Sequence, residues 1–382
     1  MRHLPARVRR MLMLLLFVGL QLYAGWHAQL YIGELTGASG LAYGLTFWSA
    51  YLVLAFGYLL ARLLRRRLPA FAALGLKWAG SYWIAAFQYS VLLLPFADLA
   101  AWPLRASGVS NAGAILYTGS AVTLLLLGIL LLGSRNAWSP VVKEYAVTVP
   151  KPGGALKELR IAAASDLHLG TTVGRRHLER LVRRINGLRP DVALLVGDVL
   201  DDDVEPFVRR DDGSRLAQIR TPYGTYAVLG NHEYYGGGID TYIETMSGYG
   251  IPVLLDETVT IAGSVHLIGR KDKTDRERAS VAELTATLDD GKPRILMDHQ
   301  PAAIREIADA GIDVSFHGHT HRGQMAPNHW ITRRIFELDW GYKAFGALHA
   351  FVSCGFGTWG PPIRIGSRSE ILCVTVRFDS QA

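Results

Sequence analysis

Only two cysteines, Cys354 and Cys373, occur in 382 residues. Two thiols cannot build a disulfide framework, and no C-x-x-C spacing is present; both read as small buried apolar residues. Acidic residues are nearly missing from the first third. Residues 1–144 carry 3 Asp/Glu against 12 Lys/Arg, whereas residues 145–382 carry 30 against 28. The positive charge therefore sits beside long apolar runs, a pattern of membrane-surface contact rather than nucleic-acid binding. The second part lacks a basic patch with interleaved aromatics, so nucleic acid is not an expected partner. It also lacks the G-x-x-x-x-G-K spacing of a phosphate-cradling loop. The acidic run "DDDVEP" at 201–206 lacks the spacing of a calcium-binding EF-hand and reads, apart from Asp201, as a solvated loop.

What the first part does contain is four apolar runs, at about 11–32, 41–61, 78–101 and 112–133. Each reaches the roughly 20 residues a helix needs to cross a bilayer. The first could pass for a signal peptide, but three further runs follow it. No cluster of acidic or paired charged residues marks a transport path inside them. The basic residues Arg2, Arg7, Arg9 and Arg10 precede the first run, and Arg62, Arg65, Arg66, Arg67 and Lys77 flank the second connection. The positive-inside rule then places the N-terminus and everything after the fourth run in the cytoplasm. A count of three spans would put the second part on the periplasmic face instead. The expectation is a multi-pass protein of the inner (cell) membrane, with the lipid bilayer as its first partner. Residues 1–134 form the helical membrane region, 135–144 a connector and 145–382 a globular domain.

In that domain short apolar runs alternate with helical stretches, as in layered α/β or α+β folds. Five runs end in residues able to bind metal: "LRIAAASDLH", "DVALLVGD", "GTYAVLGNHE", "PRILMDH" and "IDVSFHGHTH". One such ending is weak evidence; five in order are strong, because strand ends gather along one edge where ligands bind. Mixed nitrogen and oxygen donors suit Mn, Fe, Zn or Co better than Ca or Mg. Two such ions can clamp the attacking and leaving oxygens of a phosphoryl displacement. The stretches "GYGIPVLLDE" and "VHLIGRKD" read as structural strands.

The motifs D-x-H, G-D-x-x-D, G-N-H-E, an isolated His and G-H-T-H, in this order, resemble the calcineurin-like metallophosphoesterase superfamily. The closing "FVSCGFGTWGPPIRIGSRSEI" is similar to its bacterial membrane-associated branch. The resemblance implies a β-sandwich flanked by helices and two divalent metal ions per chain. Asp166, His168 and His321 would hold the first ion. Asn231, His299 and His319 would hold the second, with Asp198 bridging. His232 would stand off the metals and protonate the leaving oxygen, while a metal-bridged hydroxide attacks phosphorus. Asp201 would orient rather than ligate, and Glu233 would support the ligands from behind. Arg322 and Arg364 are candidate substrate-binding residues; each has a second reading, as a solvated loop charge and as a loop brace. His317 is expected as the last residue of its strand. His329 and His349 could approach the site, and Lys271 and Asp272 could border it.

The implied activity is hydrolysis of a phosphodiester or phosphomonoester. A lipid-linked or cell-envelope substrate is favoured because membrane tethering raises its local concentration. A catalytically silent scaffold, or a membrane regulator on the same fold, is the alternative. Silent members would be expected to lose one or more histidines, and here all eight positions are intact.

Overall fold

The computed structural model describes residues 5–64 and 67–379. The chain divides into two compact units, Met1–Gly133 and Ser134–Ala382. Three helices, Arg7–Thr36, Ala70–Ala106 and Asn111–Trp138, are long and apolar enough to cross a membrane. A fourth span exists if Gly40–Ala55 and Gly57–Leu63, which meet at a bend of 66°, count as one. The expected run 41–61 is therefore broken. Its break lies where two backbones touch: a Cβ on Gly80 would come within 2.1 Å of the Tyr58 amide nitrogen. Of the arginines used for orientation, Arg2, Arg65 and Arg66 lie outside the described residues. The first unit also pairs charges that the sequence left apart. Asp98 accepts from Tyr23 Oη at 2.5 Å and lies 3.3 Å from His27 Nε2.

The second unit is built from eleven strands: β1 Val141–Val149, β2 Glu158–Ala164, β3 Val192–Val196, β4 Thr225–Val228, β5 Glu257–Ile261, β6 Val265–Gly269, β7 Arg294–Met297, β8 Val314–His317, β9 Gly341–Phe345, β10 Leu348–Val352 and β11 Glu370–Phe378. They form two mixed sheets, ordered β1-β11-β2-β3-β4 and β5-β6-β7-β8-β10-β9. In the first, β2, β3 and β4 run parallel. In the second, β6, β7, β8 and β10 do so. Residues 141–144, expected as connector, instead begin β1, which pairs along its whole length with β11. In "GYGIPVLLDE" residues 249–256 form a loop that touches the first sheet by one bridge, Val253 to Ala227, and Glu257 opens β5. "VHLIG" is β6, as expected.

Alternation along the strands sorts the core into layers. Ile161, Ala163, Val192, Leu194 and Val196 meet Val265, Leu267, Ile295, Met297, Val314 and Phe316 between the two sheets. Their neighbours Ala162, Ala164, Ala193 and Leu195 turn the other way, onto Leu178, Leu181, Val182 and Ile185 of the helix Arg175–Leu188. That helix places its apolar residues at positions 0, 3, 4 and 7, so one stripe faces the sheet. On the far side Leu296, Ala350 and Val352 pack with Ile304 and Ile307. The result is helix, sheet, sheet, helix. Strands buried on both faces explain why the sequence shows them as unbroken apolar runs.

Candidate metal centre

Each of the five motif-bearing runs is a strand, and each motif lies just past its C-terminal end. Asp166 and His168 follow β2, Asp198 follows β3, and Asn231 and His232 follow β4. His299 follows β7, and His319 and His321 follow β8. The ends of parallel strands from two sheets thus empty into one place. Asp166, His168 and His321 offer ligand atoms within 4.8 Å of one another, and so do Asp198, His299 and His319. A third grouping, His168, Asp198 and His232, links the two. His319 Nδ1 brings in Asn231, whose Oδ1 is 2.7 Å away.

The backbone is bent hard to achieve this. Asp166, His168, Asp198, His319 and His321 all have φ between 46° and 69°. Non-glycine residues rarely adopt this left-handed region, which costs about 1–3 kcal/mol each and persists where surrounding structure enforces it. Two motif glycines are fixed by close approach: a Cβ on Gly230 would sit 2.2 Å from Asp198 Oδ1, and one on Gly318 would sit 2.4 Å from Asp166 Oδ2.

The electrostatics suit a cation. Asp166 is fully buried and receives Ser165 Oγ–H at 2.5 Å and the His319 amide at 3.0 Å. Burial opposes its ionisation, but His321, His299 and His168 overcome this and hold its carboxyl below the usual range. Burial opposes ionisation of Asp198 as well, and His299 and His168 reverse the balance in the same way. Burial pushes His168 down to about 3 and His319 to about 4, leaving neutral imidazoles, the form that ligates metal. His299 Nδ1 lies 2.8 Å from the Val196 carbonyl, which can only accept, so its proton is fixed there. Its Nε2, with no hydrogen-bond partner, then faces Asp198 Oδ2 at 3.1 Å. A lone pair facing a carboxylate calls for positive charge between them. Asp198 and Asp166 accordingly raise the pKa of His299 well above its ordinary value, against the effect of burial. His168 Nε2 and His321 Nε2 likewise face each other at 3.0 Å. A buried mixed N/O set packed this closely fits a divalent metal.

Two residues support the ligands: Asp202, not singled out in the sequence, and Glu233, expected there. His232 Nδ1 is held at 2.6 Å by Asp202, not by Asp201. The "DDDVEP" run is therefore not merely solvated. Burial works against a charge on His232, but Asp202 and Asp198 outweigh it and raise its pKa. Glu233 is buried and accepts three backbone N–H groups, from Gly230, Asp198 and Leu200, at 2.7, 3.1 and 2.8 Å. It ties the Asp198 loop to the Asn231 loop. Burial and the nearby Asp198 push its pKa up to about 7.

The remaining candidates fall out as follows. His317 ends β8 and is held by the Asp298 carbonyl and Ser315 Oγ. Arg364, read from sequence as a possible substrate contact, is completely buried: its Nη2 donates to the Gly357 carbonyl and lies 3.3 Å from His321 Nδ1. With no exposed surface, it braces the loop behind His321. Arg322 donates to the Gly366 carbonyl at 2.7 Å and stacks on Trp340, 4.0 Å from the ring centre. Asp272 is buried and receives the Gln300 amide, next to His299. Lys271 pairs with Asp275. His349 bonds Tyr342, and His329 packs on Trp330; neither joins the clusters.

Comparison with known proteins agrees with this geometry. Residues 159–323, spanning all five strand-end motifs, match the model of the calcineurin-like phosphoesterase family. A transmembrane protein with metallophosphoesterase domain from Danio rerio is 31% identical over 256 residues, 63% of this chain and 58% of that protein. The chain thus spans little more than half of that relative's length. A metallophosphoesterase of Helicobacter pylori strain J99 is 30% identical over 303 residues, 78% of this chain and 77% of its own. One from Aquifex aeolicus is 33% identical over 245 residues, 62% of this chain and 91% of its own. With the strand order, the ligand clusters and these relatives in agreement, the chain belongs to the calcineurin-like phosphoesterase family.

Proposed function

We propose that the chain is a metal-dependent phosphoric ester hydrolase anchored in a membrane by its N-terminal helices. The observation that carries the reading is the convergence of eight side chains, from five strand ends on two sheets, into buried, closely packed N/O groups. Asp166, His168 and His321 would hold one divalent ion, and Asn231, His299 and His319 another, with Asp198 serving both. Such a pair supplies Lewis-acid charge to a phosphoryl group and acidifies water at near-neutral pH. The chain's own residues do the rest. Asp202 fixes His232 through Nδ1, leaving Nε2 to carry a proton toward the departing oxygen. Glu233 keeps the Asp198 and Asn231 loops in register, and Arg364 backs the His321 loop.

The arginines before the first span and around 62–67 favour a cytoplasmic catalytic domain. A reporter fused to the C-terminus tests this; a signal confined to the periplasm rejects it. The activity is tested on the purified full chain by metal analysis together with hydrolysis of aryl and alkyl phosphomonoesters and phosphodiesters. Turnover should vanish with a chelator and return with Mn, Fe, Zn or Co. His232→Ala should retain metal yet slow alkyl esters far more than aryl esters, which need no proton to leave. Equal slowing would remove His232 from the acid role.

A further inference from the structure

Just beyond the metal centre lies a helix built the wrong way out. His329–Ile335 buries none of its residues. Trp330, Ile331 and Ile335 are 64, 60 and 66% exposed. At about 3.6 residues per turn, these three and Arg334 share one arc, with Thr332 opposite. Thr332 turns toward the body, donating to Asp339 Oδ2 at 2.7 Å. The polar side of this helix is thus docked, and its apolar side faces out.

The helix is tied to the site. Thr320, between the ligand candidates His319 and His321, donates to the Asp339 carbonyl at 2.6 Å. Phe336, which ends the helix, stands 5.9 Å from the His319 ring. Around the opposite wall, Tyr235 and Trp359 stand 5.7 and 6.4 Å from His232, and both are exposed. Among the described residues of the second unit, eight large hydrophobic side chains are exposed; five of them are these three helix residues and these two aromatics. Scattered exposed apolar residues are ordinary, but a cluster beside a polar site marks a binding surface.

We propose that His329–Ile335 is an interfacial foot that rests on an anionic lipid bilayer. The site would then take the phosphoester headgroup of an amphiphile held in that bilayer; this second half rests on the phosphoesterase reading above. The chemistry of the face selects the occupant. Trp330, Ile331 and Ile335 suit the boundary between headgroups and acyl chains, and Arg334, on the same arc, suits anionic headgroups. The same chain carries at least three helices able to span a membrane, so a bilayer is at hand.

The test uses the full chain in bilayers of phosphatidylcholine with phosphatidylglycerol. Ile331→Cys and Ile335→Cys variants are labelled with an environment-sensitive fluorophore; Cys354 and Cys373 are buried, and the parent chain serves as labelling control. A shallow spin-labelled lipid should quench both labels but not one at Asp290→Cys, a highly exposed position. Arg334→Gln should weaken the quenching, as should removal of the anionic lipid. Labels that stay unquenched in the bilayer overturn the foot. So does protection that persists in detergent and grows with protein concentration, which would assign the face to a second copy. For the substrate half, Ile331→Asp with Ile335→Asp should lower the rate on a bilayer-embedded phosphoester about tenfold relative to a soluble aryl ester, the equivalent of about one lost apolar contact. An equal fall on both overturns it. If the parent chain hydrolyses neither ester, the phosphoesterase reading fails and takes the substrate half with it, while quenching still decides the foot.

Discussion

The two sheets bring different chemistry to one site. The first sheet, through β2, β3 and β4, supplies every oxygen donor, Asp166, Asp198 and Asn231, together with His168 and His232. The second, through β7 and β8, supplies imidazoles alone: His299, His319 and His321. Negative charge stands on one wall, and imidazoles, which ligate metal in their neutral form, stand on the other. Neither wall is the whole site, since two of the three candidate clusters draw from both. The apolar layer between the sheets, with Leu194, Val196, Met297 and Phe316 in it, therefore sets ligand distances as well as stability.

Breaking the charged wall should do the most harm. Asp198→Asn keeps the shape but removes the charge shared by two clusters. Turnover should fall on the order of 10⁴-fold, the scale of several kcal/mol of Lewis-acid stabilisation. Steady-state hydrolysis with parallel metal analysis checks it, and near-parent activity would refute the shared role. Breaking the imidazole wall should cost less. His299→Ala removes one imidazole donor and leaves both carboxylates, so a loss of about 10²-fold is expected, partly rescued by excess metal. If His299→Ala proves worse than Asp198→Asn, the division of labour between the sheets is wrong.

The sequence reveals this division unevenly. The ligand candidates are legible because each sits where an apolar run stops, and such an ending has a physical meaning: a strand delivering a polar group to a sheet edge. Which sheet each run joins is not legible, because β2, β3, β7 and β8 are all buried on both faces and look alike. Asp202 escapes for another reason. Three consecutive aspartates give no sign of which one turns inward, and that choice depends on the left-handed backbone at Asp202, with φ of 69°. Arg364 stays undecided between substrate contact and loop brace, because only the fold shows the Gly357 carbonyl and His321 ring beside its guanidinium. The bend after Ala55 is hidden because it comes from contact between distant glycines.

The charged wall has a brace of its own in Glu233, as the His321 loop has in Arg364. Glu233→Gln has one acceptor oxygen where the carboxylate has two, and three amides to satisfy. At least one N–H of Gly230, Asp198 or Leu200 is left facing the new amide nitrogen. Such supporting residues typically cost about 10- to 100-fold when lost. We expect some 30-fold in activity with weakened metal affinity, followed by metal titration. An unchanged metal affinity would show that the Asp198 loop holds its shape without Glu233.

The smallest expected effect separates proton delivery from metal holding within that same wall. Asp202 is not itself a ligand candidate; it holds His232 Nδ1 at 2.6 Å, and its side chain is 38% exposed. Solvent screens such a pair, so about 1 kcal/mol is a reasonable ceiling, or roughly fivefold in rate. Asp202→Asn should leave metal content unchanged. Its loss should be confined to esters whose leaving oxygen needs a proton, because the substitution frees the His232 ring and removes the carboxylate that favours its charged form. Aryl esters, which depart without help, should react at the parent rate. A drop in metal content, or an equal slowing of aryl and alkyl esters, would mean that Asp202 supports the ligand loops instead, and that the charged wall is one cooperative unit rather than two separable functions.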